Sequence, residues 1–389
     1  MIPLMKSTFL NEFETKKALA DFILQTNKLS MDQHCFEFEK QFAEFHNTKH
    51  AILVNSGASA NLILIQALLN LGRLKKGDKV GFSAVTWSTN VMPIIQLGLV
   101  PVAVDCVPET LNCMSSNLKQ THEKHKLKAF FITNVLGFSG DLANIKKYCD
   151  SNNIILIEDN CESLGSKVDG DFTGNFGLGS TFSFFVAHHM STIEGGMLVT
   201  NDEELAEMLV IVRANGWDRN LSAITQKKYR QSHQIKSEFD AKYTFYDLAY
   251  NVRPTEITGF LGKMQLKYLP DNIKTREANY RVIESVVKQN SDLIPLVSSH
   301  MDFVSNFSFP FVCKDAALRD KYIKEFAGAG IEIRPMIAGN MQLQPFFAKY
   351  STIKEELIGA NHLHHCAFYC GNYPELTDTD LQTISSCLI

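Results

Sequence analysis

From residue 50 onward, short apolar runs alternate with longer amphipathic stretches, and this alternation is what most narrows the choice of fold. His50–Val54, Lys79–Phe82, Val100–Val104, Ala129–Thr133 and Ile154–Ile157 read as strands, and helical patterns at 61–71, 89–97, 114–122 and 141–150 separate most of them. Continuous apolar runs of this length, bounded by turns, suit strands covered on both faces. Strands that alternate with helices imply an α/β fold with a mostly parallel central sheet between helices. Two further strands are expected, at 181–185 and 197–200, followed by a helix at 202–214 whose acidic start, Asp202-Glu203-Glu204, suits the helix dipole. Residues 221–247 are polar and predict a long irregular surface segment. After Pro254 two helical patterns run to about residue 290. A strand at 307–313, a helix near 316–327 and a strand at 331–334 predict a smaller α/β unit. The expected division is a large domain over 1–280 and a small C-terminal domain over 281–389.

Composition serves mainly to exclude. With 45% hydrophobic and 21% charged residues the chain can build a large core. A net charge of −4, with no basic stripe, argues against nucleic acid and anionic membranes as partners. No apolar run approaches the ~18 residues of a membrane span. The first residues, Met1–Lys6, lack the apolar run of a secretory signal. The nine cysteines are scattered and include no Cys-x-x-Cys, so free thiols in a reducing cytoplasm are expected rather than disulfides or a metal site.

Four segments could carry chemistry. Asn55-Ser-Gly-Ala-Ser-Ala60 lies between a strand and a helix, where small residues let backbone N–H groups approach a phosphate. Read alone, it is equally an ordinary tight turn with Ser59 as helix cap. Glu158-Asp-Asn-Cys-Glu162 follows a strand and sets carboxylates where open α/β sheets bind ligands, although acids also solvate strand ends. Ser183, His188-His189 and Glu194-Gly-Gly196 follow in order. Adjacent histidines point apart on any regular element and have no third ligand at a useful spacing, so no metal site is expected. Tyr250-Asn-Val-Arg-Pro254 presents polar side chains before a proline that can open the next helix.

Together and in this order, these pieces resemble the fold-type-I pyridoxal-phosphate sugar aminotransferases, over nearly the whole chain. The resemblance rests on Ser56-Gly-x-x-Ala-Asn61, Asp78, Glu158-Asp159, Ser183, Glu194-Gly-Gly196 and Asn251-x-Arg253. That family keeps its cofactor-binding lysine six residues before Glu-Gly-Gly, and here the position is His188. A histidine there is similar to one sub-group, the sugar 3-dehydratases that act on GDP-4-keto-6-deoxy-D-mannose in colitose biosynthesis. Trp87-Ser-Thr89, Asp159-Asn-Cys-Glu-Ser163, Gly216-Trp217, Arg219-Asn-Leu221 and Arg334-Pro335 are shared with it.

The resemblance implies roles for individual residues. Asp159 would pair with the pyridine nitrogen, and Trp87 would stack on the ring. Gly57, Ala58 and Ser183 would hold the phosphate, and Glu162 would lie near the ring hydroxyl. Asn251 would reach the cofactor of a neighbouring subunit, which makes a homodimer part of the site. Arg219 and Arg334 would contact anionic groups of the nucleotide sugar or glutamate. Three departures stand out: Ala58 where a serine is usual, Asn215 in place of a histidine, and Ala249 in place of a glycine.

A lysine would bind the cofactor covalently, whereas histidine forms no such stable bond yet still moves protons near neutral pH. The resemblance therefore implies pyridoxal 5'-phosphate and pyridoxamine 5'-phosphate held non-covalently. It implies loss of the hydroxyl at sugar carbon 3, with L-glutamate restoring the amine form. The alternatives are a nucleotide-sugar aminotransferase and an iron–sulfur-dependent 3-dehydrase. The latter needs four closely placed cysteines, and only Cys366 and Cys370 are near neighbours in sequence.

Overall fold

The computed structural model describes residues 1–389. The apolar runs form strands β1 (His50–Val54), β2 (Lys79–Ser83), β3 (Val100–Val104), β4 (Ala129–Thr133) and β5 (Ile155–Asp159). A two-residue hairpin follows, β6 (Lys167–Val168) and β7 (Asp171–Phe172), and then β8 (Gly179–Ser183) and β9 (Gly196–Thr200). Seven of these make one sheet in the order β1-β9-β8-β5-β4-β2-β3. The pairs from β3 through β2, β4 and β5 to β8 are parallel. Only β9 runs against its neighbours, β1 and β8. The expected mostly parallel sheet is thus present, and β1, β5 and β8 all end at the same edge.

Helices Gly57–Asn70, Ser88–Gln96 and Glu203–Arg213 pack in one group, while Ser115–His125 and Leu142–Asn152 pair in another. The helix after β1 starts four residues earlier than its apolar pattern suggests, because Ser56 caps it. Two helices before the sheet, Glu12–Gln25 and Gln33–His46, were not legible as part of the alternation. The second packs against helix Glu256–Leu266. Glycines make that approach close: a Cβ at Gly262 would sit 2.3 Å from the Phe38 ring.

The smaller unit holds β10 (Ser308–Val312), β11 (Ile333–Pro335) and β12 (Ala367–Gly371), antiparallel in the order β10-β12-β11. Phe309, Phe311, Phe326 and Phe368 from this unit belong to the same hydrophobic cluster as the strands of the large sheet. The position expected to divide the domains, 280, falls inside helix Leu269–Val287. The first residues of the chain dock onto the small unit, where Ile2 bridges Ile331 and the Leu4 N–H donates to Glu332.

Residues 221–247 correct the expectation of an irregular segment, since they contain helices Ala223–Ser232 and Glu238–Ala241. Ser222 and Ser237 cap them by accepting first-turn N–H groups, and Arg230 ties them together through Asp218 and Glu238. The longer helix buries no residue, so it has no apolar face for a periodicity to reveal.

The outer edge of β1 is closed by side chains. The Leu53 N–H donates to the Glu39 carboxylate at 2.8 Å, and the Leu53 carbonyl accepts from Arg213 at 2.9 Å. Glu39 and Arg213 also form an ion pair, with Arg213 only 1% exposed. An open strand edge is a template for unwanted pairing, and this clamp satisfies it. Glu39→Ala strands a buried guanidinium and is expected to cost about 3–5 kcal/mol in urea unfolding. Exposed Glu14→Ala, as control, should change stability by less than about 0.5 kcal/mol.

Candidate active site

The ends of β1, β5 and β8 open on a cavity of about 350 Å³. Ligands bind at the carboxyl ends of strands in such sheets. After β1 the chain turns at Ser56, whose hydroxyl accepts the Ser59 N–H at 3.1 Å. Ser56, not Ser59, is therefore the helix cap, because only the residue before the first turn can reach back to its free amides. The Gly57 and Ala58 amides belong to that first turn and have no partner within the helix. A Cβ at Gly57 would lie 2.7 Å from the Ser183 Cβ and 3.1 Å from the Cys161 Sγ. Glycine is what allows the turn to press against the end of β8. The resulting cradle of amides and the Ser183 hydroxyl, at the positive end of a helix, fits a phosphate.

Asp159 closes β5 and is 4% exposed. Asn61 and Asn90 donate to one carboxylate oxygen at 2.9 and 2.7 Å, and the Cys161 N–H donates to the other at 2.9 Å. Thr181 fixes Asn61 by donating to its amide oxygen at 2.6 Å. Every partner is a donor, so the carboxylate presents itself as a rigid acceptor, as a protonated ring nitrogen requires.

Glu162 sits beside it with a single donor, the Leu136 N–H at 2.8 Å. Leu136 has φ 52°, in the left-handed region that a branched side chain seldom adopts, so this amide is delivered at some backbone cost. Burial pushes the Glu162 carboxyl up to about 8, with Asp159 adding to the push and the Leu136 N–H opposing it. At neutral pH it is mostly the neutral acid.

His188 lies half-buried between the rings of Phe185 and Phe307, at centroid distances of 5.8 and 5.3 Å. Burial pulls its imidazole down to about 4, against the opposing charge of Asp159. It is a neutral base at physiological pH. Its Nδ1 is buried without a partner, which leaves Nε2 as the nitrogen that can meet a substrate. His189 does not line this cavity; its ring bonds the Ser305 carbonyl at 3.0 Å. No three His, Cys, Asp or Glu side chains gather in a metal-ligating group.

The structure brings Gly57, Ala58, Trp87, Asp159, Glu162, Ser183 and His188 into one lining. Trp87 is 55% exposed, with its face open to whatever occupies the cavity. Asn251, Arg219 and Arg334 lie outside it. Asn251 is exposed and accepts from Arg253 at 3.0 Å. Arg219 stacks over Trp217 at 4.0 Å. Arg334, on β11, pairs with Glu332 just before that strand, and its strand partner Tyr369 does reach the cavity. Phe307, Ile337 and Tyr369 of the small unit complete the wall. No motif near them marked their role, because only tertiary packing carries them to β5 and β8.

Residues 11–389 match the DegT/DnrJ/EryC1/StrS aminotransferase family. The chain belongs to this family. Within it, the GDP-4-keto-6-deoxy-D-mannose 3-dehydratase of Escherichia coli O55:H7 is 35% identical over 379 residues, 95% of each chain. The enzyme of the same name from Yersinia pseudotuberculosis is 34% identical over 357 residues, 90% of this chain and 89% of its own. A crystal structure of GDP-4-keto-6-deoxymannose-3-dehydratase with a trapped PLP-glutamate geminal diamine superposes with a TM-score of 0.91 at 34% identity, covering 100% of both chains. The family expected from motif order, and its fold, are those found.

The state of Glu162 has a measurable consequence. Between the usual 4.5 and about 8 the folded chain holds a proton that the unfolded chain has released. This group's contribution to stability is present at low pH and declines as pH rises through that window. Glu162→Gln removes the effect, so the stability of the variant relative to the parent should rise from about pH 5 to about pH 9. Parallel urea-unfolding profiles over that range would show instead that Glu162 is ionised in the fold.

Proposed function

We propose that this DegT-family member is a sugar 3-dehydratase dependent on pyridoxal and pyridoxamine phosphate. Its substrate is a nucleotide-linked 4-keto-6-deoxy sugar, GDP-4-keto-6-deoxy-D-mannose by likeness to the relatives above. The products are the 4-keto-3,6-dideoxy sugar and, after hydrolysis, ammonia; glutamate regenerates the amine form of the cofactor and leaves as its 2-oxo acid. The observation that carries the reading is a neutral, unbonded imidazole at His188, where the family's covalent lysine is expected. The bound cofactor supplies an amine for the sugar ketone and a ring that accepts electrons as the carbon–oxygen bond breaks.

The chain's own residues do the rest. Gly57, Ala58 and Ser183 hold the phosphate; Ala58 contributes its amide but no hydroxyl. Asp159 accepts from the ring nitrogen and keeps it protonated. Trp87 covers one ring face. Glu162, as a neutral acid, donates toward the ring hydroxyl. His188 takes a proton at Nε2 and returns it to the departing hydroxyl, because a neutral imidazole can do first one and then the other. The three remaining residues lie outside the cavity, and their roles rest on the family resemblance. Asn251 serves a second copy's cofactor phosphate in a homodimer, and Arg219 and Arg334 hold anionic groups of sugar nucleotide or glutamate. Exposed Tyr243, which Arg219 overlies at 5.3 Å, and exposed Phe245, stacked on Trp217, support an interface there. All nine cysteines are free and eight are buried, which suits a reducing cytoplasm. No helix is long and apolar enough to cross a membrane.

Incubation with GDP-4-keto-6-deoxy-D-mannose and glutamate is expected to give a product whose mass shows loss of oxygen at carbon 3 and no retained nitrogen. His188→Asn should keep the cofactor's near-ultraviolet absorption and lose at least about 10²-fold in turnover. An amine retained on the sugar would overturn the dehydratase in favour of a transaminase. Stoichiometric iron with dependence on a reductant would favour the iron–sulfur branch.

A further inference from the structure

Behind the loop that carries His188 lies a buried cation with no carboxylate partner. Arg276, in helix Leu269–Val287, is 6% exposed. Its Nε donates to the Asn272 side-chain oxygen at 2.7 Å, and its Nη1 donates to the Asn372 carbonyl just after β12. The Asn272 amide in turn donates to the His189 carbonyl. On the other side the Asn372 amide donates to Asn306 at 3.0 Å, and the neighbouring Ser305 carbonyl accepts from the His189 ring. These bonds close a ring: His189, Asn272, Arg276, Asn372, Asn306 and Ser305, each 6% exposed or less.

We propose that Arg276 is a positioning residue for His188, locking the 188–189 loop through Asn272 and tying its placement to the end of β12 through Asn372. The inference rests on the reading of His188 as the acid/base. A closed ring of buried hydrogen bonds restricts the loop to one arrangement, and an imidazole must be held to within a fraction of an ångström to move protons efficiently. The ring also explains the state of His189. A carbonyl acceptor requires the proton on Nε2, and Nδ1 is buried with nothing to accept a second one. Burial is the main force against protonation of both imidazoles, and the nearby guanidinium, which forms no ion pair, adds to it at each. His188 also faces Asp159, Cys161, Glu162, Glu194 and Tyr369 across the cavity, while Lys6, Arg276, His189, Tyr373 and Glu375 line the pocket behind it. Of the groups that bear on His188 in these surroundings, Arg276 is the cation.

The test combines two readouts. The first is nuclear magnetic resonance titration of histidine-labelled full chain without cofactor, with the His188 signal assigned by its loss in His188→Asn. The second is kcat and KM of the loaded enzyme. Arg276→Met should move the His188 titration to higher pH and lower kcat at least about tenfold, with KM for the sugar little changed. Arg276→Lys keeps the charge but loses the forked geometry, so the titration should stay near the parent while kcat still falls. Asn272→Leu breaks the ring at its other joint and leaves the cation, so it should behave as Arg276→Lys does. If Arg276→Met fails to fold, these two variants decide the matter through kcat. A parent-like titration in Arg276→Met, or parent-like kcat in Arg276→Lys and Asn272→Leu, overturns the proposal. The titration is read without cofactor or sugar, so its outcome is separate from whether His188→Asn abolishes turnover.

Discussion

The carboxylate of Asp159 is where the folding of the sheet and the chemistry of the site meet. Its donors come from three places: Asn61 on the helix after β1, Asn90 on the helix after β2, and the Cys161 amide in its own turn. Asn61 is in turn fixed by Thr181 on β8. No one of these elements can shift without disturbing an anion that is 4% exposed and has no cation to fall back on. The common direction of β1, β5 and β8 thus bears on the chemistry, since it delivers the Gly57 turn, Asp159 and the histidine loop to one edge.

Burial then divides the labour among the ionisable groups. A low-dielectric wall disfavours charge, so it lifts the Glu162 carboxyl and lowers the His188 imidazole, leaving both neutral. Asp159 holds three donors where Glu162 holds one. In the proposed reaction these two carboxyl groups, three residues apart, are offered for opposite parts by what surrounds them.

Much of this was legible in the sequence, and the exceptions have physical causes. β1 to β5 were readable because strands buried on both faces must be apolar throughout. Helix Ala223–Ser232 was not, because it buries nothing and is held by a serine cap and by Arg230. The site was readable wherever it sits at a strand end, since chain order alone places Gly57, Asp159 and Ser183 on one edge. Phe307, Ile337 and Tyr369 were unreadable because they arrive from a second sheet far along the chain. The spacing to Glu194-Gly-Gly singled out His188, while Arg276 had no pattern at all around it. Its ring of amide and carbonyl partners exists only in three dimensions.

A histidine in place of a lysine also alters how such a protein meets its cell. An amine tethers its vitamin; an imidazole only shelters it. Occupancy of the cavity then follows mass action, and the free-energy gain from filling it grows with the logarithm of cofactor concentration. A ligand held this way would stabilise the fold only as far as it occupies the site.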